Sequence, residues 1–100
     1  MRFRLSGREV RSLYASGVSR RFPADVIGAF FGALEAIQAA PSETDLRALV
    51  SLSFEASRSG ALRLKLRSGF WLVGRREIEQ GATVFVIEGI HPPAKGGPSA

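Results

Sequence analysis

Residues 62–67 read Leu62-Arg63-Leu64-Lys65-Leu66-Arg67, three leucines alternating with three cations. Successive side chains of an extended strand point to opposite faces. The hexapeptide therefore predicts a strand with Leu62, Leu64 and Leu66 on one side and Arg63, Lys65 and Arg67 on the other. Such a strand must hide its leucine side and can leave its cationic side in water. Working outward, Ser68-Gly69 reads as a turn, Phe70 to Val73 as the start of a partner strand, Gln80-Gly81 as a second turn, and Thr83 to Ile90 (TVFVIEGI) as a third strand. A strand near Val50 to Ala56 leads in through a turn at Ser57 to Gly60. Four strands joined by short connections predict an antiparallel meander.

A lone antiparallel sheet of this size would leave its apolar face wet. The first half of the chain supplies the cover. Val26, Phe30, Leu34 and Ile37 recur at helical spacing, with Ile27 and Phe31 widening the stripe, which predicts a helix over 23–39. Pro23 costs no needed donor in a first turn, and the Asp25 carboxylate suits the positive helix end. Pro41 and Ser42 stop that helix, and Ser42 is placed to cap a short turn through Asp45 to Leu49. Arg8 to Ala15 reads as a shorter helix with Val10, Leu13 and Tyr14 inward, closed by Ser16-Gly17. Arg20-Arg21 falls just outside the next element. Met1 to Leu5 alternates as a half-exposed strand. The expected architecture is α+β, an N-terminal strand and two helices packed on a C-terminal antiparallel sheet. One domain spans 1–92, and the Pro- and Gly-rich residues 93–100 read as a flexible tail.

Composition sets the class. One hundred residues, 45% of them apolar, suffice for one modest core. With no Cys and one His, a disulfide scaffold or thiolate metal site is excluded. No run of 18 apolar residues and no signal-like N-terminus are present, so the expectation is a soluble cytoplasmic protein without a membrane partner. Fourteen basic residues against nine acidic ones give +5, and twelve of the fourteen are Arg. Arg grips phosphate through a planar fork and stacks on bases, which suits nucleic acid; a GC-rich genome produces the same bias with no functional reason.

Between Arg58 and Arg76 stand six basic residues (Arg58, Arg63, Lys65, Arg67, Arg75 and Arg76) and no acid. Alternate side chains on a strand lie about 7 Å apart, so Arg63, Lys65 and Arg67 can track a phosphate backbone. A solvated sheet face or a dock for an acidic protein has the same pattern. Phe70 and Trp71 adjoin the row, and alternation allows only one of them to face it; an exposed Trp71 offers a base a stacking surface. His91 follows the last strand, where an imidazole serves either as a general acid or base or as a plain surface residue. It has no companions for metal ligation. No Gly-rich phosphate loop joins a strand to a helix, so neither a nucleotide nor a metal cofactor is expected.

Four segments, in order over roughly residues 12–92, carry a family likeness: FPADVIGAFFGALEAIQAA at 22–40, SETDLRAL at 42–49, LSFEASRSGALRLKLRSGFWLVGR at 52–75 and VFVIEGIH at 84–91. Together they resemble the RelE/ParE superfamily of bacterial toxins, most closely its HigB-like, plasmid-killer branch. The resemblance implies a RelE-like fold and a toxin that cuts messenger RNA on the ribosome without a metal, through attack of a ribose 2′-hydroxyl on the adjacent phosphate. It also implies a cognate antitoxin, of helix-turn-helix type in that branch. Lys65 matches a basic residue of the family pattern and Arg58 falls in its basic turn. On this basis Lys65, Arg67 and His91 are the candidate catalytic residues, and Arg58, Arg63, Trp71, Arg75 and Arg76 the candidate RNA contacts. The Arg that the family carries near its Trp-like position has no counterpart, since Trp71 or Leu72 stands there. Gly89 and Ile90 replace an Asp and an aromatic before His91. Those departures favour an alternative, a catalytically impaired relative that acts by binding an antitoxin or, as ParE-type proteins do, DNA gyrase.

Overall fold

The computed structural model describes residues 1–49 and 54–93. Its elements are β1 (Arg2–Leu5), α1 (Arg8–Ser16), α2 (Ala24–Ala39), α3 (Glu43–Leu49), β2 (Phe54–Ala56), β3 (Ala61–Lys65), β4 (Trp71–Glu79) and β5 (Ala82–His91). Residues 50–53, where the sequence predicts the start of the lead-in strand, and the tail beyond Pro93 lie outside the described residues. The architecture is α+β with a mixed sheet in the order β1-β5-β4-β3-β2. Strands β2 to β5 form the antiparallel meander, and β1 joins it in parallel beside β5.

One face of the sheet is sealed by the helices. Leu62, Leu64, Leu72, Phe85, Ile87 and Ile90 pack there with Val10 and Leu13 of α1, Val26, Phe30, Leu34 and Ile37 of α2, and Leu46 of α3, all buried. Leu66 is only partly buried against this core. Helix α2 begins at Ala24 with Pro23 as its N-cap. The short turn expected after it is a helix, α3, started by Ser42: its hydroxyl accepts from the Asp45 N–H at 3.3 Å and donates to the Asp45 carboxylate at 2.7 Å.

Strand β3 stops at Lys65, earlier than the leucine–cation alternation suggests. The Phe70 N–H donates to the Arg67 carbonyl at 3.0 Å, and the Leu66 N–H to the Phe70 carbonyl at 2.8 Å. Ser68 and Gly69, with φ of 56° and 78°, form the two-residue loop of a hairpin whose twist matches that of its strands. Arg67 is consequently a turn residue rather than the end of a strand row.

A β-bulge interrupts the β4–β5 ladder: Val73 pairs with Gly89 but Gly74 pairs with Ile87, leaving Glu88 as the extra residue. The bulge reverses the facing of everything after it. Phe85 and Ile87 lie on the helix side, and unbroken alternation would send residue 91 there too. Instead Ile90 is buried and His91 emerges on the open face. Gly74 makes the close approach possible, because a Cβ on it would sit 2.0 Å from the Val86 carbonyl oxygen and 2.8 Å from the Phe85 ring.

The far side of the sheet is not uniformly wet. Val84 and Val86, 1% and 0% exposed, point away from the helices. Each is flanked in register by charged side chains, Val84 by Arg2 and Glu77, Val86 by Arg4 and Arg75. Aliphatic stems of such residues cover apolar surface while their heads stay in water; Arg2 donates to the Glu79 carbonyl at 3.4 Å, and the others form ion pairs. Arg4 bonds to Glu77 and Glu79 at 3.1 Å each, and Arg75 to Glu77 and Glu88.

Two outcomes follow. Gly74→Ala forces that backbone apart and lowers unfolding free energy by about 3 kcal/mol; urea denaturation within 0.5 kcal/mol of the parent, as an order-of-magnitude limit, would show that the tight bulge is not needed. On the helix side, Arg76 clamps α3 to β4 by donating twice to Glu43, at 2.6 and 2.7 Å. The Arg76 hydrogen bonds hold the Glu43 carboxyl below its ordinary range. A depressed carboxyl stabilises the fold fully above its unfolded pKa of about 4.3 and loses that contribution as pH falls through the folded value. Glu43→Gln is accordingly less stable than the parent at pH 7, by about 1–2 kcal/mol, and the gap closes as melting is repeated at pH values falling through the depressed folded pKa.

Candidate nucleic-acid interface

Register assigns the open face in rows. At the end of the sheet nearest the β3–β4 turn, Lys65 pairs with Trp71 and Trp71 with His91. Three adjacent strands thus bring a cation, an indole and an imidazole into one line about 10 Å across. Lys65 and His91 are exposed and Trp71 is half-buried. Arg67 adjoins the row from the turn and is also exposed. The ambiguity between the two aromatics is resolved by their packing: Phe70 sits on Phe22, ring centroids 6.0 Å apart, while Trp71 faces outward.

Arg63 occupies the next row. Its guanidinium lies 4.1 Å from the Trp71 ring centroid and also bonds to Glu55 on β2. A cation over the indole adds a favourable electrostatic contact and fixes the ring plane. One face of Trp71 is therefore occupied by Arg63 from within the protein.

The remaining candidates are dispersed. Arg75 lies on the open face one row further on, engaged by Glu77 and Glu88, and its hydrogen bond holds the Glu77 carboxyl below the usual carboxylate range. Arg76 points the opposite way, to Glu43 on the helix side. Arg58 is in the β2–β3 turn, at the other end of β3, about 13 Å of strand from Lys65. The run of six cations thus meets Glu43, Glu55 and Glu88 from other elements and Glu77 from its own strand, β4. Among the described residues Lys65 and Arg67 take part in no ion pair, and no group of three or more His, Asp or Glu is placed to hold a metal. No described helix is long and apolar enough to cross a membrane.

The row is an open platform. A broad groove lined by Met1, Phe3, Gln38, Pro41 and Thr83 lies at the opposite end of the sheet, where no candidate residue is found. A line of exposed cation, half-buried indole and exposed imidazole matches what a single-stranded nucleic acid needs, phosphate neutralisation with base stacking. The position of His91 beside Trp71 is a feature that regular strand reading misses; its only sequence signal is Ile87 and Ile90, both apolar at an odd spacing.

No family model, no curated protein and no solved structure matches the chain.

Trp71, the only Trp in the chain, reports on this geometry directly. Arg63→Ala uncovers the ring and raises acrylamide quenching of its fluorescence about twofold, in the manner of a residue losing a stacked neighbour; unchanged quenching would place the guanidinium elsewhere in solution.

Proposed function

We propose that this protein is a RelE/ParE-like toxin domain of the HigB-like kind, a metal-independent endoribonuclease acting on ribosome-bound messenger RNA and restrained by a cognate antitoxin, in the cytoplasm. The observation that carries the reading is the Lys65–Trp71–His91 row with Arg67 beside it.

Cleavage through the 2′-hydroxyl asks for two things. Charge that builds on the pentacovalent phosphate must be neutralised, and a proton must leave the attacking oxygen while another reaches the departing one. Lys65 and Arg67, exposed and outside the ion-pair layer, are the groups suited to the first task. His91, exposed about 10 Å across the row from Lys65, suits the second. Trp71, held by Arg63, offers a surface on which the base beside the scissile phosphate stacks, a contact worth about 1–3 kcal/mol.

A second reading has its own support. The family's Arg is missing, Gly89 and Ile90 replace an Asp and an aromatic, and Ile90 is turned into the core. A fold-preserving relative that binds an antitoxin or gyrase needs none of those groups.

Induced expression separates the two. For the nuclease, growth arrests and primer extension on a cellular message reveals cuts at codons. Lys65→Ala with Arg67→Ala abolishes both, losing roughly 10²–10³ in rate, while Arg75→Ala, outside the row, leaves both in place. Arrest without cuts, accompanied by altered plasmid supercoiling, would move the assignment to gyrase binding.

A further inference from the structure

The Arg20-Arg21 pair and the basic side of α1 have no part in the platform, yet the fold brings them to the same end of the molecule. Arg8 opens α1 directly after Gly7, whose Cβ position lies against the Glu88 carbonyl of the bulge. The segment after α1 folds back along it: Arg21 pairs with Glu9 at 2.6 Å, and Val18, Ser19 and Arg21 face Arg8 and Ser12 across a groove. Phe22 then packs on Phe70, next to Trp71, and Asp25 accepts from the Ser68 hydroxyl at 2.9 Å, next to Arg67.

Arg8, Arg11 and Arg20 are exposed, and none is in an ion pair among the described residues. Glu9 is the only acid between residues 1 and 24 and is committed to Arg21. Elsewhere on the surface Arg4, Arg47, Arg63, Arg75 and Arg76 each have a carboxylate partner, and among the described residues only Arg2 and Arg58 do not. Of the seven described cations outside any ion pair, five lie at this end, Lys65 and Arg67 on the sheet side and Arg8, Arg11 and Arg20 on the helix side, while Arg2 and Arg58 stand apart at other edges of the sheet.

We infer that Arg8, Arg11 and Arg20 form a second phosphate-binding patch, so that one RNA strand crosses the platform and continues around the end of the sheet onto α1. The inference rests on the RNA-binding reading above and extends it. A platform about 10 Å wide holds only a few nucleotides, so a longer strand has to leave it, and Arg8, Arg11 and Arg20 are the nearest group of described cations outside any ion pair on the helix side.

Fluorescence anisotropy with the full chain and labelled 2′-O-methyl oligouridines, which cannot be cleaved at the 2′ position, tests it. Arg8→Gln/Arg11→Gln/Arg20→Gln is expected to leave binding of a tetramer within about twofold while weakening a dodecamer roughly 10- to 100-fold. Three lost phosphate contacts make the dodecamer's log–log salt slope shallower by about 2. Unchanged dodecamer affinity and slope in this variant, with both oligomers weakened by Lys65→Ala/Arg67→Ala, would overturn the patch and leave the platform standing. A parent protein that binds neither oligomer overturns both readings. A variant that keeps RNA but loses poly-glutamate marks the patch as a protein dock and also overturns the inference. Should circular dichroism show the triple variant unfolded, Arg20→Gln alone, an exposed change outside any helix, is expected to reduce the slope by about 0.7; no reduction counts against the patch.

Discussion

The bulge at Gly74 and Glu88 is the constraint on which the arrangement of this protein turns. A strand as long as β5, paired throughout with β4, would keep a single parity from Ala82 to His91. Its final imidazole would then fall under the helices beside Leu72. One extra residue resets the alternation, so that Ile87 and Ile90 both serve the core and His91 stands in line with Trp71 and Lys65. The cost is a backbone approach that only glycine tolerates. Bulges recur beside active sites because they re-aim a side chain without changing the sheet around it.

A second consequence concerns charge. Val84 and Val86 lie on the side of the sheet without helices, and among the described residues no apolar layer covers them. Arg2, Arg4, Arg75 and Glu77 supply that cover with their stems, and the heads of Arg4 and Arg75 pair with Glu77, Glu79 and Glu88 while Arg2 donates to the Glu79 carbonyl. Exposed ion pairs of this kind contribute little stability individually. Their effect is to divide the face: Arg4 and Arg75 over the valines are paired with carboxylates, while Lys65 and Arg67 at the turn end are left able to meet phosphate.

The alternation in residues 62–67 and the helical stripe from Val26 to Ile37 make the layering legible in the sequence, because both are periodicities enforced by burial. Leu62, Leu64, Phe30 and Ile37 are core for the reason their spacing implies. The parallel pairing of β1 with β5 is not legible, since Met1 to Leu5 has the same alternation whichever strand it joins. Nor is the fate of the arginines. Arg75 and Arg76 are neighbours in sequence but occupy opposite faces, and Glu43 and Glu55 reach Arg76 and Arg63 only through tertiary packing. A charge run read along the chain overstates the potential of the surface it forms, because acids remote in sequence return to it. The row itself was legible in its residues but not in its membership: regular register about a two-residue turn at Ser68-Gly69 would set Lys65 opposite Leu72, alternation alone left Phe70 and Trp71 open, and His91 depends on the bulge.

The two cations at the platform are held by different means, and the difference ties the site to the core. Lys65 is fixed by its place on the β3–β4 ladder. Arg67 sits on a two-residue turn that has no sheet neighbour beyond its own hairpin, yet the turn is pinned from both sides. Ser68 bonds to Asp25 in the first turn of α2, and Gly69 lies so close to Pro93, after β5, that a Cβ there would come within 2.8 Å of the proline ring. Helix α2 therefore does more than seal the leucine face: its N-terminal end anchors the loop that carries Arg67. Packing of Val26 and Phe30 under the sheet, one turn or so from Asp25, sets where that anchor stands. Loosening the core at this end shifts the turn as well as lowering stability, so the geometry of the platform and the integrity of the hydrophobic layer beneath it are two readings of the same contacts.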